Sequence, residues 1–457
     1  MNLKTNLYNH QRKAVDKLMR IKVGALYMEM GTGKTRTALE LINERIKKGK
    51  VSHVLWLCPC SVKENLRKDI IKHTGEYNKD LITICGIETL SSSVKTNLEL
   101  LKLVNNKKCY LIVDESNLVK NHRARRTENI IKLSKFCNYK LILNGTPITR
   151  CEKDLFAQWY ILDWRILGYK SFWSFSANHI QYDDRIPNKI IKCLNVEYLV
   201  RKIAGYSYQV KKDECLDLPC KSYETRYYNI SNYQRDNYNY VADELLFSLD
   251  EFKPYTIYRF LTALQDVIAG FNLKIDKNLK ITKTLMFPNP LDNPRIDMLL
   301  NILSNIDDEK VIIFCKYTQE ILDITNVLNN EYGEGSAVNF YGEINQKNRQ
   351  KNINKFSEQS RFLVANKTCA GYGLNLQFCS YVIYYSNDWD YATRSQSEDR
   401  VHRIGQNKNV HVIDICANYT LDERILKCLN KKENLVDSFK EEIERVKDRK
   451  DLINWIK

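Results

Sequence analysis

Short apolar runs alternate with longer amphipathic runs in two parts of the chain. In the first part the apolar runs cover 23–27, 54–58, 110–113 and 140–143. In the second part they cover 310–315, 338–341, 362–365 and 381–385. Because apolar strands that alternate with amphipathic helices form parallel sheets covered by helices, this pattern predicts an α/β fold with two such units. Between the two units the alternation breaks down, which predicts a mainly helical insertion.

The same patterns divide the chain into four parts. We predict a first α/β unit at 1–175, an insertion and linker at 176–290, a second α/β unit at 291–428 and a helical tail at 429–457. The tail is charged and amphipathic. It either braces the units or binds a partner, and the alternative is a solvated terminal helix.

The stretch 28–35, MEMGTGKT, joins the first predicted strand to a predicted helix. Gly31 and Gly33 allow backbone dihedrals that let amide N–H groups surround a phosphate at the positive end of that helix. We expect Lys34 to reach the β- and γ-phosphates of ATP and Thr35 to bind Mg²⁺. The residues assigned to the nucleotide in this loop are Gly31, Thr32, Gly33, Lys34 and Thr35. The alternative is a helix N-terminus whose turn requires glycine.

Charged residues that could act on ATP come from both units. Asp114 and Glu115 follow an apolar run, and we expect Asp114 to hold Mg²⁺ through water and Glu115 to polarise the attacking water. Arg400 and Arg403 are three residues apart, so on a helix both guanidinium groups share one face. Since the second unit has no glycine-lysine-threonine loop, they could act as arginine fingers on ATP held by the first unit. The alternative is a surface salt bridge.

Polar residues elsewhere complete the nucleotide contacts. Gln11 is a candidate reader of adenine, because its amide both donates and accepts hydrogen bonds; the alternative is a solvated surface glutamine. Asn144, Gly145 and Thr146 end a predicted strand and could sense the γ-phosphate. A polar loop with glycines follows the strand at 362–365, and its Gly373 is assigned to the nucleotide.

Nucleic-acid contacts are assigned to five residues: Ser61, Lys63, Arg123, Thr146 and Thr368. Ser61 and Lys63 follow a strand end, where they could hold a backbone phosphate, and ordinary helix capping by Ser61 is an equal alternative. Arg123 belongs to a basic run that could contact phosphates, although such runs are usually solvated.

Charge and composition narrow the possible partners. The chain has 457 residues and a net charge of +16, which favours a polyanion, with nucleic acid first and an acidic membrane second. Fourteen cysteines occur without CxxC spacing, and the N-terminus lacks an apolar signal core. No apolar run approaches the length of a membrane span. We therefore expect free thiols in a reducing intracellular compartment, the cytoplasm of a bacterial or virus-infected cell, rather than secretion or membrane insertion.

Taken together, the motifs resemble those of the superfamily-two helicases, in the order of that family. They are Gln11, MEMGTGKT, VDESN at 113–117, LNGTP at 143–147, AGYGLNL at 370–376 and QSEDRVHRIGQ at 396–406. Glu29-Met30, Lys120-Asn121, the segment 211–219, Trp389 and the segment 420–425 are similar to the SWI/SNF branch, the double-stranded DNA translocases. The resemblance covers about residues 7–427 and implies two RecA-like lobes, use of ATP and Mg²⁺, and a monomeric DNA-dependent ATPase without sequence specificity. It names no protein partner.

Four residues depart from the family pattern, namely Met28, Asn117, Asn144 and Arg150. Asn117 stands where the family usually has histidine, a residue that links the ATP state to the nucleic-acid side. An ATP-gated DNA-binding protein with slow hydrolysis is therefore one alternative function. Another is a single-strand DNA or RNA helicase, which usually needs a wedge hairpin; the sequence gives no clear hairpin signal, although 176–290 could contain one. A single Rossmann-type enzyme would leave the second unit unexplained.

Overall fold

The computed structural model describes residues 1–145, 151–183, 190–247, 254–367, 374–431 and 435. The chain forms two compact units, Met1–Asp217 and Leu218–Lys457. Their boundary falls within the region predicted as an insertion. The finer division at residues 175, 290 and 428 stays a prediction.

The first unit is built on a sheet of six parallel strands. The strands of this unit are β1 (Val23–Met28), β2 (His53–Cys58), β3 (Ile82–Gly86), β4 (Cys109–Val113), β5 (Tyr139–Asn144), β6 (Ile180–Tyr182), β7 (Ile190–Cys193) and β8 (Ser207–Val210). Of these, β6 and β7 form a separate antiparallel pair outside the six-stranded sheet. The order across the sheet is β3-β2-β4-β5-β1-β8. Because all six strands run in the same direction, the loops after β1, β4 and β5 leave from one edge of the sheet.

Helices cover both faces of this sheet. They are α1 (Asn9–Leu18), α2 (Lys34–Lys47), α3 (Lys63–Thr74), α4 (Thr89–Ser92), α5 (Val94–Asn106), α6 (Arg125–Ser134), α7 (Lys153–Leu167), α8 (Phe172–His179), α9 (Val196–Ala204) and α10 (Lys212–Cys215), with short 3₁₀ turns at Cys60–Val62 and Ser116–Val119. In β1, Ala25 and Tyr27 belong to one buried cluster, and Leu26 and Met28 belong to another. Both faces of the strand are therefore buried, which explains why it is apolar without alternation.

The second unit has the same kind of sheet. Its strands are β9 (Lys221–Tyr228), β12 (Val311–Cys315), β13 (Ala337–Phe340), β14 (Phe362–Asn366), β15 (Tyr381–Tyr384) and β16 (Val410–Ala417), in the order β13-β14-β12-β15-β16-β9 and all parallel. Its helices are α11 (Asn232–Phe247), α12 (Pro254–Ile268), α13 (Pro294–Ser304), α14 (Thr318–Tyr332), α15 (Gln346–Glu358), α16 (Tyr391–Glu398) and α17 (Leu421–Lys431), with a 3₁₀ turn at Pro290–Asp292. The two parallel, helix-covered sheets confirm the predicted α/β class with two RecA-like lobes.

The region 176–290 contains more than the predicted helices. It supplies β8 to the first sheet and β9 to the second, and it also forms a hairpin of β10 (Phe271–Ile275) and β11 (Ile281–Leu285). The turn of this hairpin lacks an Asn-Gly or Asp-Gly pair and instead places Leu279 at a φ of +58°. Because such pairs are the strongest short-range signal for a hairpin, the sequence pattern contained no clear sign of this one. Among the described residues, none of the helices combines the length and apolar character that crossing a bilayer requires.

Candidate nucleotide site and nucleic-acid interface

The loop between β1 and α2 has the backbone shape expected of a phosphate cradle. Gly31 and Gly33 have φ angles of +83° and +89°, in the left-handed region that glycine tolerates best. Thr32 closes the turn, because its hydroxyl donates to the Glu29 carbonyl at 2.7 Å. Gly33 is the N-cap residue of α2, and as a glycine it has no side chain that could accept a hydrogen bond from the first amides of the helix. These amides can therefore donate to an anion.

Gln11 supports this loop from α1. Its Nε2 donates to the Thr32 carbonyl at 3.1 Å, and its Oε1 accepts from the Tyr8 amide at 3.0 Å. A Cβ atom on Gly33 would lie 2.2 Å from Gln11 Nε2, so the loop and the glutamine fit only because residue 33 is glycine. Gln11 is 1% exposed, and the alternative of a solvated surface glutamine is wrong. Its contact with adenine stays a prediction.

Lys34 and Thr35, the first residues of α2, are half-buried at the open side of the loop. The Lys34 ammonium donates to the Met28 carbonyl at 2.9 Å, which folds the side chain back across the loop. Within the same unit, the Glu29 carboxylate accepts from the Lys212 amide at 2.7 Å and so ties the loop to the start of α10. The phosphate and Mg²⁺ roles of Lys34 and Thr35 stay predictions.

Asp114 and Glu115 follow β4 at the same edge of the sheet. The pKa of Asp114 is raised to about 7, first by burial and then by the charge of Glu115, while the Lys34 ammonium acts in the opposite direction. Lys34 and Asp114 thus lie in one electrostatic site. Glu115 has a φ of +47°, which is uncommon for a residue other than glycine and turns the chain sharply after the strand.

The residues of this edge fit a magnesium ion. A buried carboxylate whose pKa is raised towards neutrality gains most from a nearby cation, and Asp114 is such a group. With the Thr35 hydroxyl it offers the oxygen ligands that Mg²⁺ prefers. Asp114 and Thr35 are therefore the residues that would hold the ion.

Asn144 ends β5, the strand between β1 and β4, and its side chain is 4% exposed. Its Oδ1 accepts from the Gly145 amide at 2.9 Å. Within the part of the chain that the structure describes, its buried Nδ2 has no hydrogen-bond partner. A buried unsatisfied donor beside the phosphate loop is what a γ-phosphate sensor would present. Thr146, predicted beside it, lies outside the described residues.

The two candidate arginine fingers are not on a helix, contrary to the sequence argument. Helix α16 ends at Glu398, and the following residues form turns, so the i and i+3 positions of Arg400 and Arg403 do not define a shared face. Both arginines instead contact the segment 374–376. The Arg400 carbonyl accepts from the Leu376 amide at 3.1 Å, and Arg403 donates to Asn375 Oδ1 at 2.6 Å. Gly373 and Thr368, predicted in the preceding loop, lie outside the described residues.

A buried ionic cluster in the second unit was missed by the sequence analysis. Arg394 makes two hydrogen bonds to Asp414, at 2.7 and 2.9 Å, and a third to Glu398 at 2.9 Å. Asn387 Oδ1 accepts from both Arg394 and Lys367, and burial lowers the pKa of Lys367 to about 8. Only Arg394 and Glu398, four residues apart on one helix, left a signal in the sequence.

The residues assigned to nucleic acid lie at the surface of the first unit where the structure describes them. Ser61 and Lys63 are half-exposed, and the residue that caps α3 is Val62, so the capping alternative for Ser61 is wrong. Arg123 is exposed, and its guanidinium group lies 6.0 Å from the ring centre of Trp173, which is 73% exposed. This exposed pairing of a cation with an aromatic ring is one that a nucleic acid could contact.

Three protein-family models match the chain. The SNF2-related domain matches residues 77–273, the helicase conserved C-terminal domain matches 294–405, and the res subunit of type III restriction enzymes matches 4–149.

The similar proteins include two bacterial ATP-dependent helicases and one solved ATPase core. An uncharacterized ATP-dependent helicase of Mycoplasma genitalium is 25% identical over 94% of this chain, which spans 42% of that protein. The uncharacterized ATP-dependent helicase YqhH of Bacillus subtilis is 24% identical over 96% of this chain and 80% of its own length. A solved SWI2/SNF2 ATPase core of Sulfolobus solfataricus, in complex with double-stranded DNA, is 24% identical, with 94% of this chain and 92% of that chain covered and a TM-score of 0.43.

Proposed function

The chain belongs to the SNF2-related, helicase-like ATP hydrolases, and from this premise we propose that it couples ATP hydrolysis to movement along, or remodelling of, double-stranded DNA. The observation that carries the proposal is the loop after β1, with two left-handed glycines, an uncapped helix and Lys34 poised across it. ATP is the substrate that this arrangement fits best, since it offers the β- and γ-phosphates that such a loop and its lysine bind.

The residues of the first unit divide the chemistry among them. Lys34 leaves the Met28 carbonyl to bind the β- and γ-phosphates, and Glu115 orients the attacking water. A magnesium ion, held by Thr35 and Asp114, neutralises phosphate charge when it is bound. The buried Nδ2 of Asn144 gains a partner in the γ-phosphate and loses it after hydrolysis, which makes Asn144 the reporter of the nucleotide state.

The second unit completes the reaction through Arg400 and Arg403. Two guanidinium groups would stabilise the charge that spreads over the transferred phosphoryl group, as arginine fingers do. Their common contact with the segment 374–376 supports a shared role, because a movement of that segment would move both. Closure of the two units on ATP and their reopening after hydrolysis would then produce one step along DNA.

Double-stranded DNA is the proposed partner because of charge rather than base recognition. The net charge of +16 favours a polyanion, and Ser61, Lys63, Arg123 and Trp173 are accessible on the first unit. Contacts of this kind bind the sugar-phosphate backbone and carry no sequence information. We therefore expect binding without sequence preference that weakens steeply as salt increases.

The test is ATP turnover in the presence of duplex, single-stranded and forked DNA and of RNA. Duplex DNA should stimulate turnover most, and Lys34→Ala should lower turnover by about 10²-fold or more. Lys48→Ala, an exposed lysine just beyond the same helix, is the matched control and should leave turnover unchanged. Turnover that is equal in Lys34→Ala would contradict the proposal. Tight, nucleotide-dependent DNA binding with negligible turnover would indicate an ATP-gated binding protein instead.

Strand separation is a second candidate function, and the β10–β11 hairpin favours it. Lys274, Lys277 and Lys280 are exposed on or beside the hairpin turn, where they could contact a nucleic-acid backbone at a junction. A strand-separation assay run beside a triplex-displacement assay distinguishes the two functions. Loss of strand separation in Lys277→Glu/Lys280→Glu, with triplex displacement unchanged, would assign unwinding to the hairpin. Triplex displacement without strand separation would leave translocation alone.

A further inference from the structure

Two cysteines that are far apart in the sequence meet at the surface of the first unit. Cys151 lies two residues before α7, and Cys193 is the last residue of β7. Their Sγ atoms are 2.8 Å apart, and both side chains are half-exposed. A carboxylate oxygen of Glu152 and the two sulfur atoms all lie within 4.8 Å of one another. The site therefore consists of two accessible thiols in direct contact beside one acidic group.

The surrounding structure holds both cysteines in place. Cys193 pairs with Ile180 across the β6–β7 ladder, and the next residue, Leu194, donates its amide to the His179 carbonyl at 2.8 Å. On the other side, α7 is anchored by Leu155 and Trp159, both fully buried. The two sulfur atoms are thus brought together by elements that are fixed independently, so little rearrangement is needed for a bond between them.

We propose that Cys151 and Cys193 form a reversible dithiol–disulfide site that low-molecular-weight disulfides such as oxidised glutathione oxidise. The thiolate of Cys151 attacks one sulfur of the small disulfide, which forms a mixed disulfide and releases one small thiol. The Cys193 sulfur then loses its proton and attacks the Cys151 sulfur, which releases the second small thiol. Two protein thiols lose two protons and two electrons, and the small disulfide gains them as it becomes two small thiols. Excess small thiol reverses the reaction.

The order of attack follows from the environment of Cys193. Its pKa is raised to about 12, first by burial and then by hydrogen bonds to Cys151 and Glu152. Since the thiolate is the nucleophile, a thiol that holds its proton this firmly reacts second. Once Cys151 is blocked as a mixed disulfide, Cys193 already lies beside the sulfur that it must attack.

A metal centre is the competing interpretation of the same three side chains. Two thiolates bound to one zinc ion, each about 2.3 Å from it in tetrahedral geometry, lie roughly 3.7 Å apart. The observed 2.8 Å between the sulfur atoms is much shorter. Direct sulfur–sulfur contact therefore favours the dithiol, and zinc binding becomes one outcome of the test.

The disulfide would tie the chain just after the β5 loop to the β6–β7 pair. It would close a loop of 42 residues, and such a cross-link restricts the unfolded chain. We expect oxidation to raise the midpoint of thermal unfolding of the first unit by about 5–10 °C. This inference does not depend on ATP or DNA.

The experiment uses the full chain, reduced and then treated with oxidised glutathione at pH 8. Peptide mapping by mass spectrometry without reductant should give a cross-linked peptide that joins residues 151 and 193 and disappears after dithiothreitol. Cys151→Ser and Cys193→Ser should each abolish it, whereas Cys220→Ser, which removes an exposed thiol elsewhere, should leave it unchanged.

Three results would overturn the proposal. The first is wild-type protein that accumulates glutathione on Cys151 or Cys193 without the cross-linked peptide. The second is cross-linking at random among the exposed thiols, at equal yield in Cys151→Ser/Cys193→Ser. The third is zinc that copurifies in a 1:1 ratio and protects both thiols from oxidised glutathione, which would make the site a metal centre. Because the first and third results come from the wild-type chain, they do not depend on the folding of the variants.

Discussion

Both sheets have six parallel strands, but the strand in the fifth position is connected differently in each. In the first sheet this strand is β1, and in the second it is β16; each has one outer strand beside it. After β1, five residues lead to α2, and two of them are glycines with positive φ. After β16, three residues lead to α17, and none of them is glycine.

The amides at the start of the two helices have different partners. In the second unit the Thr420 hydroxyl accepts from the Asp422 amide at 3.2 Å, and the Glu423 carboxylate accepts from the Tyr419 amide at 2.8 Å. These side chains satisfy amides that an anion would otherwise bind. In the first unit the N-cap residue of α2 is Gly33, which has no side chain to form such a bond. The two six-stranded parallel sheets thus differ in chemistry, because a glycine precedes α2 whereas Thr420 and Glu423 bond to amides at the start of α17.

The buried charged side chains of the two units also differ in how they are balanced. Arg394 and Lys221 balance the charges of Asp414 and Glu398 within the second unit. The pKa of Asp114 in the first unit is raised to about 7 by burial and by the charge of Glu115, so its ionised form would gain from an added cation. The charges of the second site are balanced by its own side chains, whereas the proposed ligand of the first site would add the cation that Asp114 lacks.

The strongest test of this contrast is whether the second unit acts on ATP at all. Replacing both candidate fingers in Arg400→Ala/Arg403→Ala should lower kcat by about 10³-fold, because arginine fingers act mainly in the transition state. Binding of ATP should change much less, since Lys34 and the glycine loop are intact. Steady-state turnover and nucleotide titration measure the two effects. Arg226→Ala, an exposed arginine of the same unit, is the control. If the double variant keeps turnover within about threefold of wild type, the fingers are ruled out.

The closed ionic cluster can be broken by one substitution. Arg394→Met should destabilise the second unit by about 3–5 kcal/mol, because it leaves Asp414 buried without its cation and removes one of the two cations that pair with Glu398. The matched change Arg226→Met removes an exposed ion pair with Glu224 and should cost about 1 kcal/mol or less. Urea unfolding followed by circular dichroism measures both. If Arg394→Met and Arg226→Met lower the free energy of unfolding equally, Arg394 does not balance the charges of the buried cluster as described.

Lys367 in the second unit and Asp114 in the first predict opposite changes of folding stability with pH. Burial lowers the pKa of Lys367 from 10.5 to about 8, so the unfolded chain binds more protons between these values and stability should rise with pH, by about 3 kcal/mol in total. The pKa of Asp114 is raised from 3.8 to about 7, so the folded chain binds more protons there and its contribution should fall as pH rises.

Substitution of each residue separates the contributions of Lys367 and Asp114 when the free energy of unfolding is measured across pH. Lys367→Met should flatten the rise between pH 8 and 10.5, while Lys408→Met, at an exposed position, should not. Asp114→Asn should flatten the fall between pH 3.8 and 7. A rise that persists in Lys367→Met would assign the alkaline effect to another group.

The open loop is tested by two glycine substitutions. Gly33→Ala should weaken nucleotide binding by about tenfold or more, because the residue has a positive φ and its new Cβ would lie 2.2 Å from Gln11 Nε2. Gly49 has a φ of +62° with open space around it, so Gly49→Ala should cost about 1 kcal/mol of stability and leave binding unchanged. Titration with a fluorescent ATP analogue compares them. Equal loss of affinity in both would show that the contact with Gln11 is irrelevant.

Sequence patterns predict the parts of the site that depend on neighbouring residues. The two glycines, Lys34 and Thr35 are close in the chain, so their arrangement follows from local turn geometry and the start of a helix. The position of Asp114 and Glu115 follows from parallel strands that end at one edge. The helical face assumed for Arg400 and Arg403 was wrong, because tertiary contacts with 374–376 replace the helix after Glu398.

The sequence by itself determined the α/β class, the two units and the loop that can cradle a phosphate, since each is encoded by apolar periodicity or by residues within one turn. Only the tertiary structure decided that β8 and β9 complete the two sheets, that Asp414 pairs with Arg394 and that Cys151 meets Cys193. The physical reason is distance along the chain. Contacts between residues 20 or 42 positions apart leave no local period, and they arise only when packing brings their elements together.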